Sequence, residues 1–214
     1  MRELLVLIGA SGHGKVIADI AVNFYEKVIF LDDNPEVKFC GKYPVIGTSA
    51  VIDNYVKKAD FFVSIGNTAI RKKIMENLME KDARIISLVH PGAVLGSGVT
   101  IGAGTVLMPG SIVNAGTSIG EGCIVNTSAS IDHDCRIGSF VHVSVGAHLC
   151  GTVSVGAETW IGAGAVVSNN KTICGQCMIG AGAVVVKDIT EKGTYVGVPA
   201  KRLEEINENI NSGK

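Results

Sequence analysis

Two rhythms of apolar residues divide the chain. Up to about Leu88, short apolar runs alternate with segments whose apolar residues recur at helical spacing. LLVLIG (Leu4–Gly9) has the unbroken apolar character of a strand buried on both faces. Val16, Ile17, Ile20, Ala21 and Phe24 then fall on one side of a helix. KVIFLDD (Lys27–Asp33), FFVSIG (Phe61–Gly66) and RIISLV (Arg84–Val89) read as further strands. Helices are predicted over Ser49–Lys57 and Thr68–Glu80, capped by Thr48 or Ser49 and by Asn67 or Thr68. Strands alternating with helices predict a small parallel α/β domain, Rossmann-like, over residues 1–88.

From Val89 the period becomes six. Every sixth residue from Val89 to Val185 is aliphatic without an insertion, and four positions after each comes a mostly small residue, a series that only Lys171 breaks. An uninterrupted hexapeptide repeat of this length predicts a parallel β-helix over residues 89–190, each hexad forming one face and three hexads one triangular coil. Gly102, Gly120, Gly138 and Gly156 recur every eighteen residues, which supports the three-sided coil. Glycine's tolerance of unusual dihedrals assigns them to its corners. Residues 191–214 follow as a loop and a polar tail.

Composition narrows the function classes. The 214 residues carry a formal net charge of −1, which supplies no basic field for nucleic acid or an anionic membrane. The first apolar run is far shorter than the roughly 18 residues of a membrane span, and no targeting segment is visible, so a cytoplasmic protein is expected. Six cysteines without a secretory context are expected to stay reduced. Cys123, Cys135 and Cys177 sit at the small position of the repeat, as packed thiols do. Cys174-Gly-Gln-Cys177 has no second CxxC and no His pair beside it, so no metal is expected there.

Charge is scarce in the repeat, and that singles out one cluster. Between Pro91 and Ala157 the charged residues are Glu121, Asp132, Asp134 and Arg136, and three of these four crowd around His133. His133 occupies the third position of its hexad, expected to point outward. Eighteen residues on either side of it stand Ala115 and Gly151, which leave a notch at the imidazole. A surface histidine is more often only solvated. Here the flanking acids and small neighbours make it a candidate general base, since an imidazole titrates near neutrality and a carboxylate can fix its tautomer. His142 has Ile124 and Trp160 as its eighteen-residue neighbours, which suggests packing or a cofactor wall.

At the other end, Gly9-Ala-Ser-Gly-His-Gly-Lys15 follows a strand and opens a helix, the context in which backbone N–H groups hold phosphate. It formally spells GxxxxGK, but Val16 replaces the hydroxyl residue that would bind magnesium. Asp32 and Asp33 end the second strand, where a Rossmann-like domain carries its ribose-binding acid.

The hexapeptide array, YVGVPAKRL (Tyr195–Leu203), IGASGHGK and NTSASIDHDC together resemble the left-handed β-helix acyltransferases. Within them the chain is similar to the bacterial nucleotide-sugar N-acetyltransferases of the UDP-4-amino-sugar (bacillosamine) type and the related sialic acid O-acetyltransferases. The resemblance implies acetyl-CoA as co-substrate, no metal, and a homotrimer with active sites between subunits. It implies His133 as general base and Asp134 as its support. The family carries Glu where Asp134 stands, so whether Asp132 or Asp134 orients the ring stays open. It further implies that Ser11, Gly12, His13, Gly14, Asp32, Asp33, Gly66 and Asn67 hold the nucleotide sugar. His142, Gly151, Ala163 and Ala181 would line the acetyl-CoA site, with residues 191–214 on the CoA side. Alternatives are O-acetylation of a sialic acid, a dTDP- or GDP-linked amino sugar, a non-catalytic scaffold, and a zinc lyase of the γ-carbonic anhydrase type. The last needs a histidine pair five apart, whereas His142 and His148 are six apart.

Overall fold

A computed structural model describes residues 2–204; the polar tail expected beyond Glu204 lies outside the described residues. The chain falls into two compact units, Met1–Pro91 with Ala103–Thr105, and Gly92–Gly102 with Val106–Lys214.

The first unit is a four-stranded parallel sheet. β1 (Arg2–Ile8) lies between β2 (Tyr25–Leu31) and β5 (Asp60–Val63), and β6 (Arg84–Ile85) forms the far edge. A short hairpin of β3 (Phe39–Cys40) and β4 (Tyr43–Pro44) intervenes. The apolar runs are fully buried, with Leu5, Leu7, Phe30, Leu31, Phe61 and Phe62 at the centre. Helix α1 (Gly12–Ala21) lays Ile17, Ala18, Ile20 and Ala21 inward. Helix α2 (Thr68–Glu80) starts where the sequence predicts, with the Asn67 side chain accepting from Ile70 N. Ser49–Asn54 is a tighter 3₁₀ turn, capped by Thr48, and not the full helix its pattern suggests.

The second unit is a left-handed β-helix of about six turns. One face stacks the pairs Val106–Leu107, Ile124–Val125, His142–Val143, Trp160–Ile161 and Met178–Ile179, ending in Thr194–Val196 and the antiparallel Lys201–Arg202. The second stacks Val94–Leu95, Ile112–Val113, Ser130–Ile131, His148–Leu149, Val166–Val167 and Val184–Val185. The third runs from Thr100–Ile101 to Thr172–Ile173. Within the array the partners are eighteen residues apart, as the repeat requires. From Leu107 to Val185 the aliphatic series is buried; Leu95, in the first coil, is 42% exposed. The small series is buried with it and links the coils. Thr117 Oγ1 donates to Asp132 O (2.7 Å) and accepts from Cys135 N (3.0 Å). Cys135 Sγ reaches Cys150 O at 3.2 Å.

The glycine expectation needs correcting. Gly102, Gly120 and Gly138 do not have positive φ. They are glycine because a Cβ there would stand 2.5–2.6 Å from backbone nitrogen of the following coil, which is close backbone approach. Left-handed backbone recurs instead at every sixth residue from Gly98 to Gly182. Most of those residues are glycine, but Ser128, Asp134, Phe140, Thr152, Glu158, Asn170 and Gln176 also adopt it.

Candidate active site

In the first unit the chain turns sharply at the carboxyl end of β1. Gly9 has φ +108°, and a Cβ on Gly14 would meet Gly9 O at 2.5 Å and the Phe30 ring at 3.0 Å. Only glycine lets the turn close this tightly. Ser11 caps α1 without a side-chain bond, and Cys40 Sγ reaches Ser11 O at 3.4 Å. Asp32 braces the turn: Oδ2 accepts from Ala10 N (2.7 Å) and Oδ1 from Asn34 N (2.9 Å). Asp33 Oδ1 accepts from Ser49 N (2.7 Å). Both aspartates thus have backbone-bracing roles that the motif did not announce.

Gly66 and Asn67 follow β5. Arg71, completely buried, donates from Nη1 to Ile65 O (3.0 Å) and Gly66 O (2.8 Å). Sequence reading missed it. The available signal was an arginine at the i position of the buried i, i+4, i+7 set completed by Met75 and Leu78. Burial first, and then the Arg71 charge, pushes the His13 imidazole down to about 4. His13 is therefore neutral at pH 7. Its Nε2 and the Tyr43 hydroxyl are buried without a hydrogen-bond partner among the described residues. Ser11, Gly12, His13, Gly14, Asp32, Asp33, Gly66 and Asn67 collect at the carboxyl ends of β1, β2 and β5, where doubly wound sheets bind ligands. A cavity of about 850 Å³ lined by Arg2, Tyr25 and Arg84 opens at the amino ends instead, away from this turn.

In the second unit SIDHDC begins as the strand Ser130–Ile131 and leaves it at a corner. Asp134 is a left-handed residue, φ +57°. That backbone swings its carboxylate back onto the preceding side chain, so that His133 Nδ1 and Asp134 Oδ2 lie 2.9 Å apart. Asp134 N is pegged to Ala115 O in the coil before, at 2.9 Å. Asp132 turns away: its Oδ1 accepts from Asn114 Nδ2 and from His133 N, both 2.8 Å. These two bonds, the Asn114 one foremost, hold Asp132 below the usual carboxylate range. Of the two acids left open by the sequence, Asp134 touches the ring. The hydrogen bond that His133 donates to Asp134, then the charge of Asp132, raises the His133 pKa above its ordinary value. With Nδ1 engaged, Nε2 is the nitrogen left to exchange a proton. It faces Gly151, where a Cβ would stand 2.5 Å away.

The residues expected at acetyl-CoA are spread over two corners of the prism and the face on which His142 stands. Gly151 shares the corner of His133. Ala163 and Ala181 stack at the corner after the face carrying His142, linked by Gly182 N to Ala163 O at 2.9 Å. His142 is 5% exposed, packs on the Trp160 ring (centroids 4.2 Å), and lies 3.0 Å from Asn126 Nδ2 through Nε2. His148 is on a different face from His142 and bonds Ser130 Oγ at 2.8 Å. Cys174 and Cys177 are free thiols 3.4 Å apart. Cys177 is the buried one, pushed up to about 11 by burial and then by Cys174. Among the described residues no group of three or more potential ligands could hold a metal, and no helix is long and apolar enough to cross a membrane.

A parallel α/β unit followed by a left-handed hexapeptide β-helix defines the class. Comparison with known proteins gives the family. Residues 4–78 match the model of the PglD N-terminal domain. The acetyltransferase domain of PglB from Neisseria gonorrhoeae FA1090 is 41% identical, covering 95% of this chain and 100% of that one, with a TM-score of 0.90; it has also been solved with acetyl coenzyme A. PerB from Caulobacter crescentus, solved with CoA and GDP-perosamine, is 34% identical, covering 92% and 96% of the two chains, with a TM-score of 0.87. UDP-N-acetylbacillosamine N-acetyltransferase of Bacillus subtilis (strain 168) is 33% identical over 109 residues, 49% of this chain and half the length of that curated relative. The chain belongs to the family of the PglB acetyltransferase domain and PerB.

Proposed function

We propose that this chain transfers the acetyl group of acetyl-CoA to the amine of a nucleotide-linked 4-amino-4,6-dideoxy sugar, UDP-linked. The observation that carries the reading is one exposed imidazole, with Nδ1 on Asp134 and Nε2 facing the gap at Gly151. It stands in a chain whose relatives include a UDP-N-acetylbacillosamine N-acetyltransferase and a perosamine N-acetyltransferase. In this reading His133 Nε2 takes a proton from the amine as its nitrogen attacks the thioester carbonyl. The C–N bond forms, the C–S bond breaks, and the proton passes from the imidazolium to the departing CoA thiolate. Backbone N–H groups of the coils would stabilise the tetrahedral oxyanion, at about 3 kcal/mol per donor. Asp134 keeps the proton on Nδ1 and so keeps Nε2 basic.

Ser11–Gly14, Asp32, Asp33, Gly66 and Asn67 would receive the nucleotide sugar. The unpartnered His13 Nε2 and Tyr43 hydroxyl support this, because buried polar atoms usually find partners and a polar ligand would provide them. His142, Gly151, Ala163 and Ala181 would line acetyl-CoA, with Glu191–Arg202 beside it. The working form is a cytoplasmic homotrimer. In this reading residues 1–88 are the nucleotide-sugar half and residues 89–190 the acyl-transfer half.

The test is thiol release from acetyl-CoA with UDP-, dTDP- and GDP-linked 4-amino-4,6-dideoxy sugars and sialic acid as acceptors. Fast turnover with the UDP-amino sugar alone is expected. Turnover with the GDP or dTDP sugar changes the nucleotide, turnover with sialic acid changes the reaction to O-acetylation, and silence across the panel rejects the activity.

A further inference from the structure

We propose that Gly116 is a positioning residue for the His133–Asp134 pair, its missing side chain being the space that the Asp134 carboxylate occupies. The inference rests on the proposed role of His133 but makes a claim of its own about geometry. Gly98, Gly116 and Asp134 form one column of left-handed turn residues, eighteen positions apart. A Cβ on Gly116 would stand 2.5 Å from Asp134 Oδ1, and Cγ follows at 3.6 Å. The oxygen can move only with the rest of its carboxylate, which is held through Oδ2 to His133 Nδ1 at 2.9 Å on a backbone whose N is held to Ala115 O. An added methyl therefore displaces the carboxylate from the ring.

Gly98 supplies the internal control. It has nearly the same backbone, φ +71° against +73°, yet a Cβ there meets nothing closer than Gly116 N at 3.9 Å. Alanine at either position meets the same left-handed strain; only at 116 does it meet a carboxylate.

The charged groups acting on His133 are Asp134 and Asp132. Arg136 follows in the same coil, and Cys150 and His148 are the titratable side chains of the coil stacked on it. Substitution at 116 leaves all of these in sequence and moves only the first.

The experiment is an NMR titration of the His133 imidazole in the full chain, run on wild type, Gly98→Ala, Gly116→Ala, Asp134→Ala and the double variant Gly116→Ala/Asp134→Ala. This readout does not depend on activity, so the geometry and the acetyl-transfer reading fail separately. Gly116→Ala is expected to lower the His133 pKa towards the Asp134→Ala value, while Gly98→Ala leaves it at the wild-type value. The double variant is expected to match Asp134→Ala, since contacting residues couple rather than add. If Gly116→Ala alone does not fold, the proposal requires the double variant, which has no carboxylate to displace, to fold and titrate. An unchanged His133 pKa in Gly116→Ala, an equal fall in Gly98→Ala, or a double variant that also fails to fold would overturn it. With an acceptor identified, the acid limb of kcat/KM should move with the NMR value and KM for acetyl-CoA should not.

Discussion

A histidine bonded to its immediate successor in sequence needs a backbone that few residues adopt. Asp134 meets that need by accepting φ +57°, a conformation costing about 1–2 kcal/mol in an L-residue. The coils on either side leave room for the pair at Gly116 and Gly151. Removing the base tests its role directly: His133→Ala is expected to lower kcat by about 10² to 10⁴, with circular dichroism and hydrodynamic size unchanged, since the side chain is exposed. Full activity in the folded variant would remove His133 from the mechanism. The pH dependence follows from the sign of the shift. A base works deprotonated, and the Asp134 bond raises the His133 pKa above its usual value. Activity therefore rises with pH through a midpoint above the ordinary imidazole value of about 6.5. Asp134→Asn is expected to bring that midpoint down, which a kcat/KM profile measures.

At the scale of the coil, two glycine columns do different work. The sequence spaced Gly102, Gly120, Gly138 and Gly156 correctly but suggested the wrong cause, because a string of letters does not distinguish a left-handed turn from a close approach. The turn residues are the other column, and it escaped notice since seven of its members carry side chains. The distinction is measurable. Gly120→Ala would drive a Cβ to 2.6 Å from Ser139 N and 2.8 Å from its Cα, backbone atoms that cannot give way. A loss of about 1–3 kcal/mol is expected from this overpacking, read by chemical denaturation. Gly146→Ala, where a Cβ meets open space, is expected to cost the left-handed turn strain alone, about 1–2 kcal/mol. From Leu107 onward the aliphatic series needed no such correction, because a buried ladder of eighteen-residue register leaves one answer for which residues face in.

At the scale of the molecule, the two units respond differently to acid. His13 has its pKa depressed to about 4 by burial, so between about 6.5 and 4 the unfolded chain binds a proton that the folded chain refuses. Stability falls as pH drops through that window and levels off below it, by an amount on the order of 3 kcal/mol. His13→Gln is expected to lose this portion of the acid sensitivity in denaturation curves at pH 7 and pH 4. His133 has the opposite sign: its contribution is present at low pH and fades as pH rises through its raised pKa. Sedimentation equilibrium tests the assembly, with three chains expected; a monomer retaining full turnover would exclude active sites shared between subunits.

The sequence by itself determined the alternation of strands and helices, the six-residue period, the three-sided coil and the isolation of one Asp-His-Asp in a charge-poor repeat. Each is a pattern in one dimension, set by which residues meet water and which do not. Tertiary structure decided which aspartate holds His133, because that depends on a left-handed turn at 134 and on Asn114 drawing Asp132 aside from the neighbouring coil. It also decided that Asp32 and Asp33 brace backbone, that Arg71 is buried against the Ile65 and Gly66 carbonyls, and that the residues expected at acetyl-CoA are spread over one face and two corners of the prism. These facts turn on distances between residues far apart in the chain, and a hydrogen bond is fixed only when both of its ends have been folded into reach.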